Sequence, residues 1–198
     1  GGTALLKAQA ICPAWAFYRY RLGARQLEIP LEGLDEAERG TLLHKAMQCF
    51  WEKHGEAGQP GLKGMGEVLL AENIARAVDE AIAFMKSEND AALPARFMAL
   101  EAGRLRDLLG EWLALERERP VSFTVLACEQ ENRLVIEGIE IRLFIDRIDR
   151  LESGAGGQSG QSGQRMVRDY KTGSQVSHKT WADERIREPQ LPIYAAFL

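Results

Sequence analysis

Cysteine is scarce in this sequence: Cys12, Cys49 and Cys128 are the only three in 198 residues. An odd number without close pairs excludes a disulfide framework. It fits a reducing compartment, so the expected location is cytoplasmic. The same count excludes a four-thiolate iron–sulfur cluster. Long apolar runs are missing as well: no stretch reaches the roughly eighteen residues of a membrane span, and no signal-peptide pattern opens the sequence. No surplus of positive charge is present, since 25 Lys and Arg stand against 29 Asp and Glu, a formal net charge of −4. That argues against coating a duplex by bulk charge. It still allows a local groove in which carboxylates and a bound cation reverse the sign. Finally, no G-x-x-x-x-G-K-[ST] pattern occurs, so this sequence holds no P-loop motor.

What is present is ordered from helical to β periodicity. Residues 4–21 read as one helix or two short ones broken near Pro13. Trp15, Phe17, Tyr18 and Tyr20 are expected to pack mostly in the core, the other use of such aromatics beside Arg19 and Arg21 being to stack on bases. Asp35 can cap a helix running to about Lys53, with Leu42, Leu43, Ala46, Met47 and Phe50 as its apolar stripe. Helices are expected over 67–85, led by residues such as Val68, Leu69, Ile74 and Val78, and from Pro94 to about Arg117, with Leu100, Leu105, Leu109 and Leu115 inward. Pro120 marks the switch to strands over 122–129, 133–137 and 140–150, the last two joined at Gly138. A Gly/Ser/Gln-rich loop follows over 153–164.

The chemistry concentrates between Ile139 and Gly173. Two apolar, β-prone segments, I-E-I-R-L-F-I-D-R-I-D-R and Q-R-M-V-R-D-Y-K-T-G, deliver Asp146 and Asp169, with Lys171 two residues after the second. Residues two apart on a strand face one side, so Asp169 and Lys171 share a face and Tyr170 takes the other. Neighbouring carboxylates repel as bare anions, and a hard divalent cation removes the conflict. A nearby lysine can then position water or neutralise a phosphorane-like transition state. The competing reading is an edge strand with solvated charges.

Four motifs in series resemble the PD-(D/E)XK nuclease superfamily, and within it the RecB-like nuclease domains that accompany DNA helicases in repair and recombination. Gly40-Thr41-Leu42-Leu43-His44 is similar to the family's G-x-x-x-H helix. Ile145 to Arg150 is similar to its I-D-R-x-D strand, Val167 to Gly173 to its D-Y-K-T-G strand, and Gln190-Leu191-Pro192-Ile193-Tyr194 to its Q-L-x-x-Y helix. Ile11-Cys12-Pro13 with Phe17 resembles its C-P-x-x-F start. The resemblance implies an α/β fold: a restriction-endonuclease-like core with a central mixed β-sheet flanked by helices, plus an inserted helical cap. It makes residues 1–198 a single RecB-like nuclease domain lacking its C-terminal end, with 67–117 as the helical insertion. It implies one or two Mg²⁺ or Mn²⁺ ions held by Asp146 and Asp169, the backbone carbonyl of Tyr170 and His44. Lys171 is implied as a catalytic group, and Gln190 and Tyr194 as residues that position the DNA backbone. Glu129 is either a further ligand or a solvent-facing strand residue. His44 taken alone reads as a core-edge histidine. Phe144 stands where relatives have glycine and is expected on the same face as Asp146.

The implied activity is metal-dependent hydrolysis of DNA phosphodiesters, as an exonuclease on single-stranded or unwound DNA, with a helicase as partner. Two rivals are a weakly catalytic DNA-binding or scaffolding module and a phosphohydrolase acting on small substrates.

Overall fold

A proline sets where the first helix stops. In the computed structural model, which describes residues 2–27, 33–54, 61–88, 93–152, 163–173 and 178–197, α1 (Thr3–Ile11) ends at Cys12, and α2 (Pro13–Ala16) restarts with Pro13 in its first turn. The next turn, Phe17–Arg21, widens into a π-helix, with the Leu22 N–H donating to the Phe17 carbonyl at 3.1 Å. The expected core role is overturned for three of the four aromatics here, Tyr20 being half-buried. Trp15, Phe17 and Tyr18 are 40%, 53% and 57% exposed. The buried positions in these turns are Ala8 and Ala16, so the short helices pack on small side chains and turn the large ones out.

Asp35 caps α3 (Glu36–His54) in a reciprocal box: the Glu38 N–H donates to the Asp35 carboxylate at 2.7 Å and the Asp35 N–H to the Glu38 carboxylate at 2.8 Å. The expected stripe of Leu42, Leu43, Ala46, Met47 and Phe50 is buried. It packs against α4 (Glu67–Glu88), which packs against α5 (Ala95–Arg117). Leu105, Leu109 and Leu113 of α5 are wholly buried, each contributing about 1.5–3 kcal/mol. Val68, Leu69, Leu100 and Leu115, expected inward, are exposed. The inward faces run instead through Leu70, Ile74, Ala77 and Ala81 on α4 and through Met98, Ala102, Leu105 and Leu109 on α5, at the three-and-four spacing of one helical face. Among the described residues no helix is long and apolar enough to cross a membrane.

The sheet has three strands in the order β1 (Phe123–Ile136), β2 (Ile139–Leu151), β3 (Arg165–Arg168). The expected strands 122–129 and 133–137 are one, since the polar stretch between them does not break the ladder. Glu137 and Gly138, at φ 48° and 79°, form the tight two-residue hairpin that joins β1 to β2. The Leu151 N–H donates to the Gln164 carbonyl, and the Gly163 N–H to the Leu151 carbonyl, so β2 and β3 also pair in opposite directions. The α/β class with a sheet flanked by helices is as expected; the described sheet is antiparallel rather than mixed. Residues 153–162 of the expected loop lie outside the described residues.

Two compact units divide the chain. One comprises Gly1–Pro30, Glu129–Arg147 and Met166–Leu198; the other comprises Leu31–Cys128 and Ile148–Arg165. The first holds Glu129, Asp146, Asp169, Lys171, Gln190 and Tyr194; the second holds His44.

Candidate active site

On β2, Ile141, Leu143 and Ile145 are buried and alternate with exposed neighbours, as one covered face of a sheet requires. The alternation stops at Asp146: Asp146, Arg147, Ile148 and Asp149 are all buried. Two of these four side chains hold Tyr170. The Asp146 carboxylate accepts the Tyr170 backbone N–H at 2.6 Å, and the Arg147 guanidinium donates to the Tyr170 hydroxyl at 3.1 Å. The residue between Asp169 and Lys171 is thereby held at both its backbone and its ring end.

β3 itself stops at Arg168, so Asp169, Tyr170 and Lys171 lie just past its end. The strand-like alternation nevertheless persists. Tyr170 is buried on one side, while the Lys171 ammonium and Asp169 carboxylate meet at 2.7 Å on the other. The Asp169 side chain is 2% exposed and that of Lys171 43%, so the pair presents its cation to solvent and keeps its anion inside.

α6 (Gln190–Phe197) supplies the clamp. The Gln190 amide nitrogen donates to the Asp169 carboxylate at 2.7 Å and to the Tyr194 hydroxyl at 3.0 Å. Its carbonyl oxygen accepts from Lys171 at 2.9 Å. One helical turn on, the Tyr194 hydroxyl donates to the Phe144 carbonyl of β2 at 2.6 Å. Burial, the largest influence, raises the Tyr194 pKa; the nearby Asp169 and Asp146 charges raise it further, against the lowering effect of hydrogen bonds with Gln190 and Thr3. The phenol therefore stays protonated and keeps its donor role. Tyr194 is buried, and Gln190 turns both donors and its acceptor toward protein. These two residues tie together Asp169, Lys171 and β2.

Glu129 lies mid-way along β1 with φ 46°, a conformation a residue bearing a side chain rarely adopts. Glu129 and Asp146 each offer a carboxylate oxygen, and these lie within 4.8 Å of one another. Phe144, on the Asp146 side of the alternation, is half exposed. His44 is half-buried on α3.

The second aspartate of I-D-R-I-D-R has a different fate. Asp149 is wholly buried and accepts from Arg119 at 3.0 Å, a guanidinium that also reaches Glu116 at 3.1 Å and lies 4.0 Å over the Phe123 ring. It belongs to a structural ion network. Sequence reasoning did not single out Arg147; its signal was a charged residue in a strand segment where alternation was about to fail.

A family model of the PD-(D/E)XK nuclease superfamily matches residues 5–198, nearly the whole chain, and the chain belongs to that superfamily. No curated protein matches it.

Proposed function

We propose that this member of the PD-(D/E)XK superfamily is a metal-dependent deoxyribonuclease, an exonuclease on single-stranded or unwound DNA that works beside a helicase in repair or recombination. Residues 1–198 are read as one RecB-like nuclease domain with 67–117 as a helical insertion. The observation that carries the reading is the arrangement around Lys171: an ammonium group at the surface, steadied by a buried carboxylate and by the Gln190 carbonyl oxygen.

The residues present fit a divalent cation. Glu129 and Asp146 bring two carboxylates into one neighbourhood, a charge conflict that a hard cation relieves. His44 is proposed as a further ligand on the strength of the G-x-x-x-H pattern, and a histidine ligand accepts Mn²⁺ more readily than Mg²⁺. Asp169 and the backbone carbonyl of Tyr170 are further proposed ligands, supported by the D-Y-K pattern. When bound, the ion supplies Lewis-acid polarisation of the phosphoryl oxygens and a more acidic water.

The protein's own groups do the rest. Lys171 orients the attacking water from outside its line of approach to phosphorus and offsets the charge that builds on the phosphoryl oxygens, while solvent takes the proton the nucleophile loses and returns one to the leaving oxygen. Asp169 and Gln190 keep that ammonium from sampling other rotamers, which is a positioning role. Tyr194, protonated and tied to the Phe144 carbonyl, fixes Gln190 against β2.

The test is cleavage of end-labelled single-stranded and duplex DNA with Mg²⁺, Mn²⁺ or chelator. The expected result is metal-dependent shortening that Lys171→Ala reduces at least ~100-fold in a variant that still folds but melts lower, because the buried Asp169 carboxylate loses its cation. Cleavage that survives in chelator, or in Lys171→Ala, would sink the reading.

A further inference from the structure

The first acidic residue of the chain is Glu28; the 27 residues before it carry Lys7, Arg19, Arg21 and Arg25 and no Asp or Glu. This is a positively charged segment in a protein whose net charge is −4. Lys7 is paired with Glu188 at 2.5 Å. The three arginines stand in or beside the π-helical turn, the same turn whose aromatics are turned outward. The Arg19 guanidinium lies 6.0 Å from the Trp15 ring and 5.8 Å from the Tyr20 ring, and Phe17 and Tyr18 meet edge to face at 5.9 Å. Exposed aromatic faces and guanidinium groups in one short turn, with no anion of its own, match a ligand that offers both flat π-faces and regularly spaced negative charge. That description fits a single nucleic-acid strand, whose unstacked bases lie on aromatic rings while its phosphates meet arginines. A duplex hides its base faces and does not fit. The π-turn itself is a departure from regular helix of the kind that collects at functional positions.

The same segment is tied to the candidate active site within its own unit. α1 packs against α6, the helix of Gln190 and Tyr194. From the α1 end of this contact to the π-turn the chain runs through α1 and α2, at most about 20 Å at the helical rise. An unstacked strand is more extended than the ~3.4 Å per nucleotide of a duplex strand, so about six nucleotides at most cover that distance.

We propose that Trp15, Phe17 and Tyr18, with Arg19 and Arg21, form a stacking platform that grips a single strand a few nucleotides from the scissile bond. The proposal deepens the nuclease reading and rests on it for the identity of the partner. Its test separates the two. Binding of fluorescently labelled oligothymidylate to the full chain is measured by anisotropy in chelator, where nothing is cut. Hydrolysis of a small ester, thymidine 5′-(4-nitrophenyl phosphate), is measured with Mn²⁺, where no strand is gripped. Trp15→Ala and Phe17→Ala are each expected to weaken strand binding about tenfold. Arg19→Ala is expected to lower the salt slope by about 0.7. All three leave small-ester hydrolysis unchanged, because these exposed side chains lie outside the site. For the parent chain, oligonucleotides of more than about six nucleotides bind tighter than shorter ones.

Aromatic variants that bind the strand as the parent does overturn the proposal and return the patch to some other partner, such as a protein. So does parent binding to duplex that equals its binding to the single strand. Absence of all hydrolysis alongside aromatic-dependent binding removes the nuclease reading and leaves the platform standing.

Discussion

Gln190→Leu is the sharpest probe of how the site is assembled. The side chain makes three hydrogen bonds: to Asp169 at 2.7 Å, to Tyr194 at 3.0 Å and from Lys171 at 2.9 Å. They are not of equal value. The Lys171 ammonium is partly in solvent and can exchange its partner for water. The Asp169 carboxylate is buried and would keep only Lys171 among these two partners, so losing the amide costs about 1.5–3 kcal/mol, with about 1 more for the neutral tyrosine bond. A loss of about 2.5–4 kcal/mol corresponds to a melting temperature lower by roughly 5–16 °C in a chain of this size. The catalytic effect is separate. With Gln190 gone, the lysine is held at one point instead of two, and a misplacement of about 1 Å costs about 100-fold in kcat with KM little changed. The assay is Mn²⁺-supported cleavage of a labelled oligonucleotide alongside thermal melting. Gln190→Glu adds a second readout: it keeps the acceptor for Lys171 and sets a carboxylate against Asp169, so one proton must be retained by the pair. Its activity should therefore peak at lower pH than the parent's. A Gln190→Leu variant that melts lower but cuts at the parental rate would refute the positioning role and reduce Gln190 to packing.

Further outcomes follow from the same geometry. Asp146→Asn leaves an oxygen that can accept the Tyr170 N–H, so the melting temperature should change by only a few degrees, while Mn²⁺ affinity by calorimetry falls about 100-fold or more; unchanged affinity would remove Asp146 from the ligand set. Tyr194→Phe strips the part-buried Phe144 carbonyl of its donor and should cost about 1 kcal/mol in denaturant unfolding, with a smaller loss of kcat than Gln190→Leu. Glu101 is buried between Arg39 and Arg104, at 2.6 and 2.9 Å, and although burial pushes its pKa up, those hydrogen bonds and charges win and hold it below the ordinary glutamate value. A lowered folded-state pKa stabilises above the unfolded value and stops doing so as pH falls through the folded one. Glu101→Gln should thus cost about 2–3 kcal/mol at neutral pH, and the gap in melting temperature from the parent should close in acid.

How much of this was legible beforehand differs by residue. The Asp35 cap, the α3 stripe, the break at Pro13 and the turn at Gly138 each rest on chemistry local to a few residues, and each was readable. Asp169 and Lys171 were expected on one face, and they meet there although the strand has already ended, because Tyr170 between them is fixed from β2. That fixing joins residues more than twenty positions apart through a backbone N–H and a phenol, and no spacing rule encodes it. The outward aromatics were misread for a related reason. Hydrophobic character says that a side chain can be buried, but whether it is depends on the area the neighbouring elements offer, and two very short helices offer little. Glu129 was undecidable from alternation, because its positive φ suspends the alternation at that point.

Tyr170 explains why the two aspartates of I-D-R-I-D-R cannot exchange roles. Consecutive strand residues face opposite ways, so a single side chain cannot ordinarily be met by both members of an Asp-Arg pair. Here one member takes the backbone N–H and the other the hydroxyl, which lie on opposite sides of the residue they hold. That requires the paired residue to carry both a backbone N–H and a ring hydroxyl, as a tyrosine does. Asp149 has a different partner, the Arg119 guanidinium, and a cation already neutralises it. The Asp146 carboxylate accepts the neutral Tyr170 N–H. Which of the two aspartates is proposed as a ligand therefore follows from the partner each one meets. Asp149→Asn should accordingly lower stability and leave Mn²⁺ affinity at the parental value.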